Sequence, residues 1–298
     1  MPKGHRLDHK PYIVSPGAKI RLADYATDYT AGFKDKAAAK VALLEDVSEL
    51  AKMQDVFWAS KQYALIIIFQ ALDAAGKDST IEHVMSGVNP QGVDVYSFKA
   101  PTEEERLHHF LWRPMKVLPA AGTMAIFNRS YYEEVLVVRV HPQFLDGQLL
   151  AQDRHKKDLS QLWKSRYENI NGFEKALSRE NTRVLKFFLH VSREEQRQRF
   201  LKRLDDPEKN WKFSLADLRE RAHWDEYQTA YEDMLSATST EEAPWYIIPA
   251  DKKWFMRACV ADIITSELRS LSLEYPRVSE HEAVALAEAK KQLEAEQG

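Results

Sequence analysis

The segment Tyr63-Ala-Leu-Ile-Ile-Ile-Phe69 constrains this chain most, because it is short, unbroken and apolar, and the run Gln-Ala-Leu-Asp-Ala-Ala-Gly-Lys-Asp-Ser-Thr80 follows it at once. A strand with no polar alternation is buried on both faces, which is the position of an interior strand in a parallel sheet. Parallel strands need long crossovers, so helices must lie between them. Four further runs read as strands, Val93 to Phe98, Thr123 to Asn128, Arg183 to His190 and Trp245 to Pro249. Helical segments separate them, and this alternation predicts a doubly wound α/β sheet. From Lys34 to Ser60, apolar residues recur at Val41, Leu44, Val47, Leu50 and Met53, the spacing of one buried helical stripe. Thr102-Glu-Glu-Glu105 and Ser192-Arg-Glu-Glu195 have the form of capping boxes. Residues 252–270 read as a closing amphipathic helix and 279–295 as a separate, mostly solvated one.

Composition bounds the rest. With 298 residues, 44% of them hydrophobic, the chain can bury a substantial core. A net charge of −3 gives no overall attraction to polyanions, so anion binding must come from local Lys and Arg. The single cysteine, Cys259, reads as a buried free thiol and excludes an intramolecular disulfide. No stretch approaches the roughly 18 apolar residues of a membrane span, and the start has no signal-peptide core. The expectation is a cytoplasmic protein with no membrane and no nucleic-acid partner. Residues 1–33 read as an irregular arm, 1–270 as one domain with a lid at about 193–223, and 271–298 as a tail carrying a helix.

The run after Phe69 lies between a strand and a helix, where a phosphate-binding loop belongs. In such a loop the backbone N–H groups of Ala74, Ala75, Gly76, Asp78 and Ser79 face phosphate oxygens, the helix start adds its dipole, and Lys77 adds a full charge. The strict pattern G-x-x-x-x-G-K-[ST] fails twice, at Ala71 and at Asp78. Asp78 cannot act as a metal-binding hydroxyl, which leaves Asp73 as the carboxylate for Mg²⁺, with Mn²⁺ able to substitute. The competing reading is an ordinary strand-to-helix turn.

Phe-Asn-Arg-Ser130 ends the third strand at the carboxyl edge, where open α/β sheets place ligands. Asn128 can hydrogen-bond phosphate or a metal-bound water. Arg129 can fork onto a phosphate, or pair with Glu133 or Glu134. After the fourth strand, Arg193 and Arg197 lie four apart, as do Arg199 and Arg203, so two guanidinium rows form a helix beside Lys202, anchored by Phe200 and Leu204. A ladder of this kind can follow a polyanion without reading a sequence. Trp211-Lys-Phe213 and His223-Trp-Asp225 read as packing at the base of this lid, and His83, His108, His109 and His141 show no zinc spacing, with His108 and His109 on different sides of one helix.

Four segments, A-L-D-A-A-G-K-D-S-T, S-G-V-N-P-Q-G, S-F-K-A-P and F-N-R-S-Y-Y-E-E-V-L-V-V-R-V, resemble the family-2 polyphosphate kinases, and the resemblance runs through most of residues 20–270. F-N-R-S with its acidic pair is similar to the class III branch, associated with phosphorylating both nucleoside monophosphates and diphosphates. The resemblance implies a three-layer, thymidylate-kinase-like P-loop kinase fold: a five-stranded parallel sheet flanked by helices, with a helical lid. It implies catalytic Asp73, Lys77 and Arg129, with Asp73 on the metal, lid ligands Arg193 and Arg197 supported by Lys202 and Arg203, and a part for Glu133 and Asn128 in nucleotide or metal handling. The implied partners are inorganic polyphosphate, AMP, ADP and ATP, in a homo-oligomer, dimer or tetramer. An ATP-dependent nucleoside monophosphate kinase and a non-catalytic nucleotide- or polyphosphate-binding protein remain the alternatives.

Overall fold

The computed structural model describes residues 7–148 and 159–296. Five strands form one sheet: β1 Ala64–Gln70, β2 Val93–Ser97, β3 Met124–Asn128, β4 Thr182–His190 and β5 Trp245–Pro249. Their order is β2-β3-β1-β4-β5, and every pairing is parallel. All of β1 is buried, as its unbroken apolar run requires. Side chains alternate between two cores: Ile66, Ile68 and Phe127 join one, while Leu65, Ile67 and Ile126 join the other. Each such burial contributes about 1.5–3 kcal/mol, so the strand is held from both faces. The chain turns one way after β1, toward β3 and β2, and then the other way, to β4 and β5. The crevice outside the carboxyl ends of β3, β1 and β4 is therefore the switch point of the sheet.

Helices Lys36–Ser60 and Lys253–Ser270 pack together on one face, and Ser160–Arg179 and Trp224–Thr238 lie on the other. The face of Lys36–Ser60 that is buried differs from the expected stripe. Ala39, Ala42, Asp46, Leu50, Gln54 and Phe57 point inward, whereas Val41 and Leu44 are exposed. Buried Gln54 explains the shift, because its amide exchanges hydrogen bonds with the backbone of Asn89 and so takes a core position that apolar periodicity cannot reveal. Lys253–Ser270 is not amphipathic either: Phe255, Met256, Cys259, Val260, Ile263 and Ile264 are all buried, because it is sandwiched between the sheet and Lys36–Ser60.

Val14 N donates to Trp245 O and Ile247 N to Tyr12 O, so the arm covers the edge of β5 that would otherwise be open. Thr102 closes a full capping box with Glu105, but the Ser192 box is half made, since the Glu195 carboxylate turns to Arg199 instead. His108 and His109 lie in a turn between two short helices, Glu103–Arg106 and Trp112–Met115, and not on one helix. The tail helix Glu280–Ala295 has no buried residue. Among the described residues no helix is long and apolar enough to cross a membrane.

Candidate active site

The loop leaving β1 turns at two positive-φ residues, Ala74 (φ 59°) and Gly76 (φ 111°), before helix Lys77–Val84 begins. Ala74 carries a side chain in this region, at a cost of about 1–2 kcal/mol. A Cβ on Gly76 would lie 3.1 Å from Met256 Cε, so Met256 would have to give by a few tenths of an ångström to admit one. The first turn of the helix leaves its N–H groups without intrahelical partners, as an anion site needs. Lys77 is 8% exposed, and its Nζ donates to Ala71 O at 2.7 Å. Burial, and then the Arg129 guanidinium, push its pKa down to about 8. Ser79 turns its hydroxyl to Gly76 O at 3.1 Å.

Arg129 closes the other side. It too sits at positive φ (62°), with its N–H bonded to Phe69 O at the end of β1. Its Nη2 donates to Asp73 Oδ1 at 2.7 Å and its Nη1 lies 3.5 Å from Glu133 Oε2. The Glu133 carboxylate, and next that of Asp73, hold the guanidinium's pKa above its ordinary value, while burial raises that of Glu133 against the pull of Arg129 and Lys77. Glu134, the other acid considered for Arg129, pairs with buried Arg166 instead. Asn128 Nδ2 donates to Asp78 Oδ1 at 2.6 Å. Asp78, one of the loop's departures from the strict pattern, is thus matched by a neutral partner: an Asp at 128 would set two carboxylates face to face, and an Asn does not.

The helix after β4, Arg193–Asp205, brings a different side to the loop from the one expected. Arg193 and Arg197 are exposed, and Arg197 forks onto Glu194. Lys202 is exposed, and Arg203 Nη1 lies 3.6 Å from Asp217. Phe200 is buried, stacked edge-on with Phe213, whereas Leu204 is 46% exposed and does not anchor the helix. The inward groups are Gln196, which donates to Asp73 O at 2.9 Å, and Arg199, which reaches Ala75 O at 2.6 Å. Asp73, Lys77, Asp78, Asn128, Arg129 and Glu133 are therefore gathered at one crevice, while Arg193 and Arg197 lie on the solvent side of the helix Arg193–Asp205. Trp224 is buried, as the packing reading requires, and Trp211 is 74% exposed.

A cavity of about 240 Å³ opens between the loop, the Arg129 turn and residues 216–231, lined by Asp73, Arg129, Glu133, Asp217, Arg221 and Tyr227, among others. Burial, followed by repulsion from Asp73, raises the pKa of Asp217. Sequence reasoning missed Asp217, Arg221 and Gln196, and it read Arg199 as part of a polyanion-facing row with Arg203, whereas Arg199 turns inward to the loop carbonyls. Gln196 and Arg199 stand three apart and share a helix face, so helical spacing could have paired them.

A parallel sheet with this strand order, a lysine-bearing loop after its central strand and an arginine turn beside it make this an α/β protein of the P-loop kinase fold. A family profile described as polyphosphate kinase 2 matches residues 33–275. The chain is 44% identical over 288 residues to the ADP-polyphosphate phosphotransferase of Rhodopseudomonas palustris, covering 97% of this chain and 99% of the relative. It is 45% identical over 269 residues to the AMP/ADP-polyphosphate phosphotransferase of Meiothermus ruber, covering 90% and 96%. The crystal structure of polyphosphate kinase 2 from Arthrobacter aurescens TC1 superimposes with a TM-score of 0.82 at 37% identity, covering 96% of each chain. The chain belongs to the polyphosphate kinase 2 family.

Proposed function

We propose that this protein transfers the terminal phosphoryl group of inorganic polyphosphate to AMP and ADP, and runs in reverse from ATP. The observation that carries the reading is the meeting of Lys77, Asp73 and Arg129 at one loop mouth, in a chain whose relatives match it over nearly their whole length and bear those activities in their names. An acceptor phosphate oxygen attacks the terminal phosphorus of polyphosphate while the bridging oxygen leaves on a chain one unit shorter. The work left to the protein is positioning and neutralisation of charge. In this reading the loop N–H groups and Lys77 hold phosphate, Arg129 exchanges Asp73 for the migrating group, and Glu133 orients Arg129. The lid excludes water, which suppresses hydrolysis.

The residues present fit a divalent cation of the Mg²⁺ kind. Asp73 offers carboxylate oxygens at the loop, Asn128 a neutral amide oxygen, and among the described residues no group of three or more His, Cys, Asp or Glu forms a ready-made cage. That suits an ion which keeps water and phosphate oxygens in its shell. Asp73 would hold it, and it would neutralise phosphate charge.

Lys77→Ala tests the reading. Its expected effect is a loss of about 100-fold or more in turnover from polyphosphate, with the far-ultraviolet circular dichroism unchanged. Full activity in that variant would refute the loop assignment.

A further inference from the structure

We infer that Arg199, which no motif of the loop includes, is the positioning residue that keeps the phosphate loop in its binding shape. The inference rests on reading that loop as the phosphate site. A loop that turns its N–H groups toward an anion must turn its carbonyls away from it, and those carbonyls then need donors. Arg199 supplies them. Its Nη1 donates to Ala75 O at 2.6 Å and Ala74 O at 3.1 Å, on the two residues just before Gly76. Its Nη2 donates to Ala250 O at 2.6 Å and Asp251 O at 3.2 Å, in the turn after β5. The remaining Nε donates to Glu195 Oε1 at 2.8 Å, which fixes the plane of the fork. The side chain is 7% exposed and every one of these partners is an oxygen of the protein.

The same helix carries a second link, Gln196 Nε2 to Asp73 O at 2.9 Å, and Gln196 is held in turn by Arg221 Nη1 at 2.6 Å. Asp251 completes the frame: its carboxylate accepts from Ser192 N and from Thr27 Oγ1 in the arm. The arm, the turn after β5, the start of the lid helix and the phosphate loop are thereby one hydrogen-bonded unit, with Arg199 at its centre. The strained conformation of Ala74 persists because this frame over-determines it. Lysine cannot replace the fork, since a single ammonium cannot bridge two pairs of carbonyls in one plane.

The test compares wild type, Arg199→Lys and Arg199→Ala. First, amide hydrogen exchange without substrate should rise in residues 72–80 of Arg199→Lys and stay unchanged in β2 and β3. Second, with polyphosphate and ADP, kcat should fall about 100-fold while the KM for ADP moves less than about threefold. Third, millimolar guanidinium, but not methylammonium, should restore part of the kcat of Arg199→Ala by entering the vacated fork. Unchanged exchange in residues 72–80 of Arg199→Lys would overturn the inference. So would a loss of activity that tracks melting temperature and is not relieved by guanidinium. An inactive wild type would count against the proposed function instead, and the exchange experiment would still decide the role of Arg199.

Discussion

Replacing Lys186 with methionine should destabilise the fold by about 3–5 kcal/mol, the usual consequence of removing one partner from a buried ion pair. Lys186 is fully buried in the middle of β4. Its Nζ donates to Glu174 Oε2 at 2.6 Å, Thr238 O at 2.6 Å and Tyr132 OH at 3.0 Å. The hydroxyls of Tyr131 and Tyr132 both donate to Glu174 Oε1 at 2.7 Å. Methionine fills the volume but leaves Glu174 charged and without its counter-ion. The two tyrosines still solvate that charge, which places the expected loss nearer 3 than 5 kcal/mol. The double variant Lys186→Met/Glu174→Gln removes the charge and keeps an acceptor for both tyrosines, so it should recover about 2 kcal/mol. Urea unfolding followed by circular dichroism reads both values. A Lys186→Met variant within about 0.5 kcal/mol of wild type, or a double variant no more stable than the single, would refute the reasoning. The consequence reaches the site, because Tyr131 and Tyr132 anchor the turn that carries Arg129 and Glu133.

Two further outcomes follow from shifted ionisations. Lys77, with a pKa pushed down to about 8 by burial and Arg129, must be charged to hold phosphate, so kcat/KM for polyphosphate should fall above about pH 8 while kcat holds to higher pH, bound phosphate favouring the ammonium; a flat kcat/KM to about pH 10 would contradict this. Asp46 is 3% exposed, and burial together with Asp262 raises its pKa to about 7. Its folded form holds a proton that the unfolded chain has already lost between about pH 4 and 7, so stability falls as pH rises through that window. Asp46→Asn should therefore raise the melting temperature more at about pH 8 than at about pH 4.5, and an equal gain at both would disprove it.

The interior of the sheet was legible in the sequence because burial on both faces favours apolar runs, and all five strands, the exposed edge strand β2 included, fall within a residue or so of the segments that announce them. Helix faces were harder to read. The inward stripe of Lys36–Ser60 includes Asp46 and Gln54, polar residues with core positions, and Val41 and Leu44 left outside gave a false stripe. The residues at the loop and the third strand could be chosen from their place in the chain, since a strand end fixes where its side chains must be. On the lid no such constraint applies. Seven charged residues lie along Arg193–Arg203, and what selects Arg199 is the set of backbone carbonyls it meets in residues 74–75 and 250–251, contacts that exist only once the fold has formed. The same holds for Asp78 and Asn128, whose pairing makes sense of a loop departure that looks like a defect when Asp78 is read alone.

The central claim is that polyphosphate is the phosphoryl donor, and one measurement addresses it directly. Purified protein is mixed with Mg²⁺, polyphosphate and either AMP or ADP, ATP is omitted, and nucleotides are separated over time. The account predicts ADP formed from AMP and ATP formed from ADP, each matched by an equal loss of terminal polyphosphate units and each absent in Lys77→Ala. Transfer seen only when ATP is supplied as donor to a monophosphate, or binding of polyphosphate with no product at all, would contradict it.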